Sequence, residues 1–493
     1  MTDKNPSAKS MRWPIGDGDK PELMSRSASR IGFWRQFGRH FAVGLTLAYT
    51  SFALPVGLAT ESVAPTAEPF ASTYTPRPAT AMVIQNASVY DGLGELLIDT
   101  DVAVADGRIV AIGKDLPTEG RQVIDASDQW LSPGIIDVHS HLGNYAAPNA
   151  PATSDGNEST SPNTAQVWAE HSVWPQDPQF TRALAGGVTT LQILPGSANL
   201  FGGRGVTVKN VPSRTVQGMK FPEAPHSLKM ACGENPKRVY GSRKTAPSTR
   251  MGNVAGYRNA WIKAKAYYDK QQAHAADPEE PAPERDLAME TLAGVLAGEI
   301  LVHNHCYRAD EMVIMIDIAK EFGYQIAAFH HAVESYKIAD LLAEADICSA
   351  MWTDWWGFKL EAYDGIQQNI ALVDQAKACA IVHSDSERDI QRLNQEAAKA
   401  MAAGRRMGME ITSAHAMTWL TANAAKALGI AAETGTIEVG KAADLVLWDS
   451  DPMSVYSRAE QVFIDGYLYF DRDDPVRQPK TDFEVGQSIG GGQ

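Results

Sequence analysis

The sequence predicts an α/β protein: a (β/α)8 TIM barrel with a small β-sandwich domain formed from both ends of the chain. Three observations predict it. Strand-like and helix-like runs alternate from Pro133 to Gly429, a pattern that builds parallel sheet with crossover helices, and its length suits a barrel with insertions. Patterns of period two, broken by Gly/Asp turns, lie on either side of that region. Histidine and aspartate recur at the ends of the apolar strands, and the strand ends of a barrel form the face where its active sites lie.

Composition sets the outer bounds. Of 493 residues, 44% are hydrophobic and 21% charged, ample for a large core. A net charge of −15 excludes a nucleic-acid partner, which needs a basic field. Residues 1–59 run against that balance, with eight Lys/Arg against four acids, and the uncharged run Phe41–Ala59 follows Arg39. This order reads as a secretory signal peptide cut near Ala59, or as an uncleaved N-terminal membrane anchor, since the run is just long enough to span about 30 Å. Pro55 and Gly57 favour cleavage. Either way the protein is expected to be exported, periplasmic or secreted, with a membrane tether in the second case.

Residues 60–80, rich in Pro, Thr, Ser and Ala, read as a mobile linker. Residues 81–132 form the first part of the sandwich, with Asp-Gly turns at Asp91–Gly92 and Asp106–Gly107, and 431–475 form the second. Residues 476–493 are expected to be a disordered tail. In the barrel, 133–430, VTTLQIL, HSLKMAC, EILVHNHC, YQIAAFHH, ADICSAM and KACAIVHSD read as strands, and QQAHAADPEEPAPERD as a surface loop. GSANLFGGRGVTVKNVP reads as a glycine-rich loop after the third strand. The cysteines, Cys232, Cys306, Cys348 and Cys379, are scattered, so they are expected as small buried residues, with one disulfide as the alternative.

Chemistry concentrates in the histidines. His139 and His141 in LSPGIIDVHSHLG stand two apart on a strand, so both rings face one side. His303 and His305, His330 and His331, and Asp385 close three further strands. One such histidine is usually a core residue. Burying the whole set is costly unless a metal satisfies it.

The segments PGIIDVHSH, HCYRADEM, HHAVESY, VHSDSER and TANAAKALGI…GTIEVGKAADLVLWDSDP together resemble the amidohydrolase superfamily, in its imidazolonepropionase-like and prolidase-like branch, over Ala81–Asp471. The resemblance implies one or two divalent metals, usually zinc, and hydrolysis of C–N bonds. It implies His139 and His141 as ligands of the more buried metal, His305 with His303 as its alternative at the fifth strand, and His331 at the sixth. His330 is expected to point away and pack under a helix. At the fourth strand the resemblance implies a carbamylated Lys229 bridging two metals, with Glu234 as the alternative ligand. Asp385 is implied as both a metal ligand and the catalytic acid–base group, with His383 and Ser384 supporting it. Zinc-bound water ionises near pH 7 rather than about 15.7, which supplies the nucleophile such an enzyme needs.

Substrate selection is thinly encoded. Arg204 in the glycine-rich loop, Arg238 in a basic stretch and Tyr307 are the candidate substrate-binding residues, and MWTDWWGF lines the pocket or packs in the core. The expected substrate is a small amide, cyclic amide or dipeptide, and a homo-oligomer is the expected assembly. The rival readings are a deaminase that uses the same site and a non-catalytic binding protein that kept the barrel.

Overall fold

The computed structural model describes residues 69–478. The N-terminal segment 1–59, the first part of the linker and the tail from residue 479 lie outside the described residues. Among the described residues no helix is long and apolar enough to cross a membrane.

Both ends of the chain contribute to one sheet. Strands β1 (Met82–Tyr90), β2 (Leu96–Ala105), β3 (Arg108–Gly113), β4 (Gln122–Asp125) and β5 (Trp130–Pro133) come from the first part. The first half of β2 is exposed and most of its second half is buried without alternation, so that part is covered on both faces. Asp106 and Gly107 both have positive φ, 51° and 77°, as the two-residue hairpin between β2 and β3 requires. The eight strands of this domain form one continuous hydrogen-bonded sheet. It has its own apolar cluster, including Ile84, Val102, Leu131, Leu445 and Phe463.

The second sheet is the barrel: β6 (Ile135–Ser140), β7 (Val188–Ile193), β8 (Phe201–Lys209), β9 (Ser227–Ala231), β10 (Leu301–Cys306), β11 (Ile326–His331), β12 (Cys348–Met351) and β13 (Cys379–Val382), paired in chain order. The seam between β13 and β6 is bridged by one short segment: Val382 donates its N–H to the Trp419 carbonyl, and Ile136 to that of Leu420. The strands β14 (Leu445–Trp448), β15 (Ala459–Ile464) and β16 (Tyr467–Asp471) then return to the first sheet, β14 pairing with β5. A buried lysine ties the two sheets together: Lys209 on β8 reaches Asp444 at 3.3 Å and Asp465 at 2.8 Å.

Three expectations are corrected. VTTLQI is the second barrel strand, and the supposed loop behind it contains the third, β8, which runs antiparallel to both neighbours. Its glycines disguise a strand, because Gly203 and Gly205 lie so close to Val167 and Ser227 that a Cβ would collide with them. The linker residues that are described do not hang free: Thr73 donates to the Gln217 carbonyl, and the Tyr74 hydroxyl to Asp465. All four cysteines are paired, Cys232 with Cys306 and Cys348 with Cys379. Cys348 and Cys379 are direct register partners on neighbouring strands, a proximity that their separation of 31 residues conceals.

Candidate metal centre

The ends of β6, β9, β10, β11 and β13 bring their side chains to one point. His139 and His141 follow from β6, and their Nε2 atoms stand 3.3 Å apart. Asp385, three residues beyond β13, places Oδ1 3.1 Å from His141 Nε2 and 3.5 Å from His139 Nε2. His331 Nδ1 lies 3.7 Å from Asp385 Oδ2. Lys229 on β9 is 1% exposed, with Nζ 3.3 Å from His139 Nε2 and donating to the Pro195 carbonyl at 3.0 Å. His305 stacks edge-on to His331, ring centres 4.6 Å apart.

The donor atoms fit a cation. His141 Nδ1 is 2.7 Å from the Leu194 carbonyl, which only accepts, so that nitrogen carries the hydrogen and Nε2 is left with its lone pair. With the ring neutral, that lone pair faces a carboxylate oxygen at 3.1 Å, so the pair is stable only with positive charge between the two atoms, a metal ion or a proton shared with Asp385. His305 Nδ1 and His383 Nδ1 are buried without a hydrogen-bond partner. Two sets of three residues have ligand atoms within 4.8 Å of one another: His139, His141, Asp385 and His139, His331, His383.

Electrostatics match that arrangement. Burial pushes His139, His305, His330 and His331 well below the usual histidine range, and the Lys229 charge adds to the effect. Burial likewise lowers His303 to about 3 and His383 to about 4. The imidazoles are therefore neutral at pH 7, the state that binds metal. Burial alone would raise Asp385, but the hydrogen bond and charge of His141, with His383 and Lys229, outweigh it and hold the carboxyl below its ordinary value. Burial lowers Lys229 to about 8.

Other expected residues fall elsewhere. Glu234 opens the helix Glu234–Ser242 and faces Lys359 at 3.7 Å, so the fourth strand brings Lys229 to the cluster and not Glu234. His303 sits deeper, its Nδ1 2.8 Å from His330 Nε2. His330 does not pack under a helix: its Nδ1 lies 2.8 Å from His139 Nδ1 inside the barrel. Strand alternation points His330 inward, and His331 turns inward too because its φ of 69° breaks the alternation. Arg204 is held away from the cluster by a hydrogen bond to Thr291 and by stacking over Trp168. Arg238 is exposed, near enough to Lys359 to lower its proton affinity after burial has done so. Tyr307 borders the cluster, stacked on His331 and covered by Lys359, whose Nζ is 3.8 Å from the ring centre.

Sequence reading missed Asp137 and Lys359. Asp137 accepts from the backbone N–H of His139 and of Ser384 and from the Ser384 hydroxyl, tying β6 to the loop that carries Asp385. Burial raises Asp137 to about 7. Its place two residues before His139 was the available signal. Trp352 stacks on both His331 and His383. Lys359 gave no signal, because the loop after β12 has no periodicity. A cavity of about 400 Å³ beside the cluster is lined by His141, Tyr145, Gln179, Asp385, Ser386 and Arg388.

Comparison with known proteins agrees with this geometry. The family model described as Amidohydrolase family matches residues 264–469. The solved amidohydrolase from Thermotoga maritima MSB8 is 36% identical, with a TM-score of 0.74 over 79% of this chain and all of that one. The amidohydrolase tasK of Hapsidospora irregularis is 34% identical over 402 residues, 76% of this chain and 40% of that protein. An adenine deaminase of Bacillus pumilus (strain SAFR-032) is 48% identical over 62 residues, 13% of this chain and 10% of its own. The chain thus spans 40% of the length of the first of these curated relatives and a tenth of the second. With a solved relative matched along its entire length at that identity, the chain belongs to the amidohydrolase family.

Proposed function

We propose that this protein is a metal-dependent hydrolase that cleaves the C–N bond of a small amide, cyclic amide or dipeptide. The convergence of His139, His141 and Asp385, with Lys229 and His331 against them, carries the reading. His139, His141, His305, His331 and Asp385 would hold one or two divalent ions, zinc suiting imidazole and carboxylate donors. A carbamylated Lys229 would bridge two ions, and its proton affinity, lowered to about 8, leaves part of the amine free to take up carbon dioxide near neutral pH. When bound, the metal supplies a nucleophile at neutral pH and polarises the scissile carbonyl.

The chain's own groups do the rest. Asp385 is ionised at neutral pH and lines the cavity, so it accepts the proton of the attacking water and returns it to the leaving nitrogen. Asp137 and Ser384 hold the Asp385 loop against β6, and the Asp385 N–H donates to the His139 carbonyl at 3.0 Å. Trp352 and Tyr307 cover His331 and exclude water from that side. Lys359 beside Tyr307 offers a cation to a substrate carboxylate, while Trp356 and Phe358, 54% and 58% exposed, offer an apolar wall.

The test is elemental analysis of protein purified without added metal, followed by assays on dipeptides, N-acyl amino acids and cyclic amides. About two equivalents of zinc support the bridged site, and one equivalent a mononuclear site. Metal-free protein with unchanged activity would refute the proposal. The short match to an adenine deaminase favours a second reading, deamination in the same site. Ammonia release without carboxylate formation would select it.

The net-basic N terminus with its apolar run, together with two disulfides, supports export to an oxidising compartment. N-terminal sequencing of the mature protein separates a cleaved signal from a retained anchor, and light scattering tests the proposed homo-oligomer.

A further inference from the structure

Three imidazoles form a line from the metal centre into the barrel. His139 Nδ1 lies 2.8 Å from His330 Nδ1, and His330 Nε2 lies 2.8 Å from His303 Nδ1. All three side chains are at most 1% exposed, so no solvent completes their hydrogen bonds. A neutral imidazole has one N–H and one lone pair. Fixing the tautomer of one member therefore fixes the other two.

The two ends of the line agree on its direction. At the top, Lys229 Nζ is a donor 3.3 Å from His139 Nε2, which must then be the acceptor. His139 consequently carries its hydrogen on Nδ1 and donates it to His330 Nδ1. His330 in turn carries its hydrogen on Nε2 and donates to His303 Nδ1. His303 is left with Nε2–H, which makes no hydrogen bond, while the nearby Ala427 backbone favours the protonated ring, as an acceptor does. An acceptor at the lower end suits this polarity. A proton added to His330 or His303 would set two N–H groups against each other at 2.8 Å, and one added to His139 would face the Lys229 donor at 3.3 Å.

We infer that His330 and His303 are positioning residues that lock His139 in the Nδ1–H tautomer and so aim the Nε2 lone pair into the metal centre. The backbone makes this possible at β11. The positive φ of His331 lets two consecutive histidines serve the site, His331 at the mouth and His330 behind it. Lys229 pairs with His303 in register on the adjacent strands, which places the top donor and the bottom imidazole in the same stack. This arrangement resembles the general way in which metal-binding histidines are oriented by a partner on the second nitrogen, with another imidazole in place of the usual carboxylate or carbonyl. Loss of such a partner costs 10–100-fold in metal affinity as an order of magnitude.

The inference rests on the metal-centre reading for its purpose, though not for its geometry. Histidine-selective 15N labelling of the metal-free wild-type protein reports each tautomer directly. The expected result is Nδ1–H at His139 and Nε2–H at His330 and His303. Zinc affinity, measured by competition with a chromophoric chelator, is expected to fall about 10–100-fold in His330→Ala. His330→Asn, whose amide oxygen stands where Nδ1 stood, should recover most of the loss. An Nε2–H tautomer at His139, or zinc affinity in His330→Ala within twofold of wild type, overturns the relay. Wild-type protein that shows these tautomers but binds no zinc upholds the relay and removes the function proposed above.

Discussion

Replacing Lys229 by methionine is expected to make the metal-free protein more stable while abolishing its function. Lys229 is 1% exposed, with the Pro195 carbonyl at 3.0 Å and His139 Nε2 at 3.3 Å as its close acceptors. Burial lowers its pKa from 10.5 to about 8. Each tenfold change in proton affinity is about 1.4 kcal/mol, so at pH 7 the buried ammonium costs about 3 kcal/mol. Methionine fills nearly the same volume without the charge. It forfeits the hydrogen bond to Pro195 and the longer one to His139, together worth about 1–2 kcal/mol. The net expectation is a gain of about 1–2 kcal/mol at pH 7. The pH dependence follows from the direction of the shift. Between pH 8 and 10.5 the unfolded wild type binds more protons than the folded one, so its stability climbs with pH. The advantage of Lys229→Met is therefore full below pH 8 and disappears towards 10.5. Urea unfolding of chelator-stripped protein at a series of pH values measures it. A variant less stable than wild type at pH 7, or an advantage that persists at pH 10.5, refutes the reasoning.

Three further perturbations test other parts of the structure. Asp385→Asn keeps the shape and removes the proton carrier, so kcat should fall by about 10²–10⁴ with the circular dichroism spectrum unchanged; retention of activity would exclude the assigned role. Lys209→Met leaves Asp444 and Asp465 buried without their cation and should cost about 3–5 kcal/mol in urea unfolding. That deficit should shrink as pH falls, because burial already raises Asp444 and protonation relieves the unpaired charge. Lys359→Met should raise KM about tenfold for substrates carrying a carboxylate, with kcat little changed, and should leave KM for neutral amides as it was.

How much was legible in the sequence differs from element to element. The end-derived domain could be read because short β-forming runs are separated by Asp-Gly pairs that mark its hairpins. His139, His141, His305, His331 and Asp385 could be read because each closes an apolar strand, and the fold gathers strand ends on one face. Strand β8 could not, because its glycines serve close backbone approach to Val167 and Ser227, and only the packed molecule shows those neighbours. The disulfides could not either: strand pairing in three dimensions, and not spacing along the chain, decides which cysteines meet.

By itself the sequence determined the alternation of strands with helices, the types of ligand at the strand ends and the fourth-strand candidates Lys229 and Glu234. These depend on local periodicity and on the residues' own chemistry. Tertiary structure decided which of those groups meet. It set Lys229 against His139 and Glu234 against Lys359, since Lys229 lies within the barrel strand and Glu234 opens the helix beyond it. It also put His330 behind His139, since one residue with positive φ lets adjacent side chains share a face that strand alternation would have divided between them.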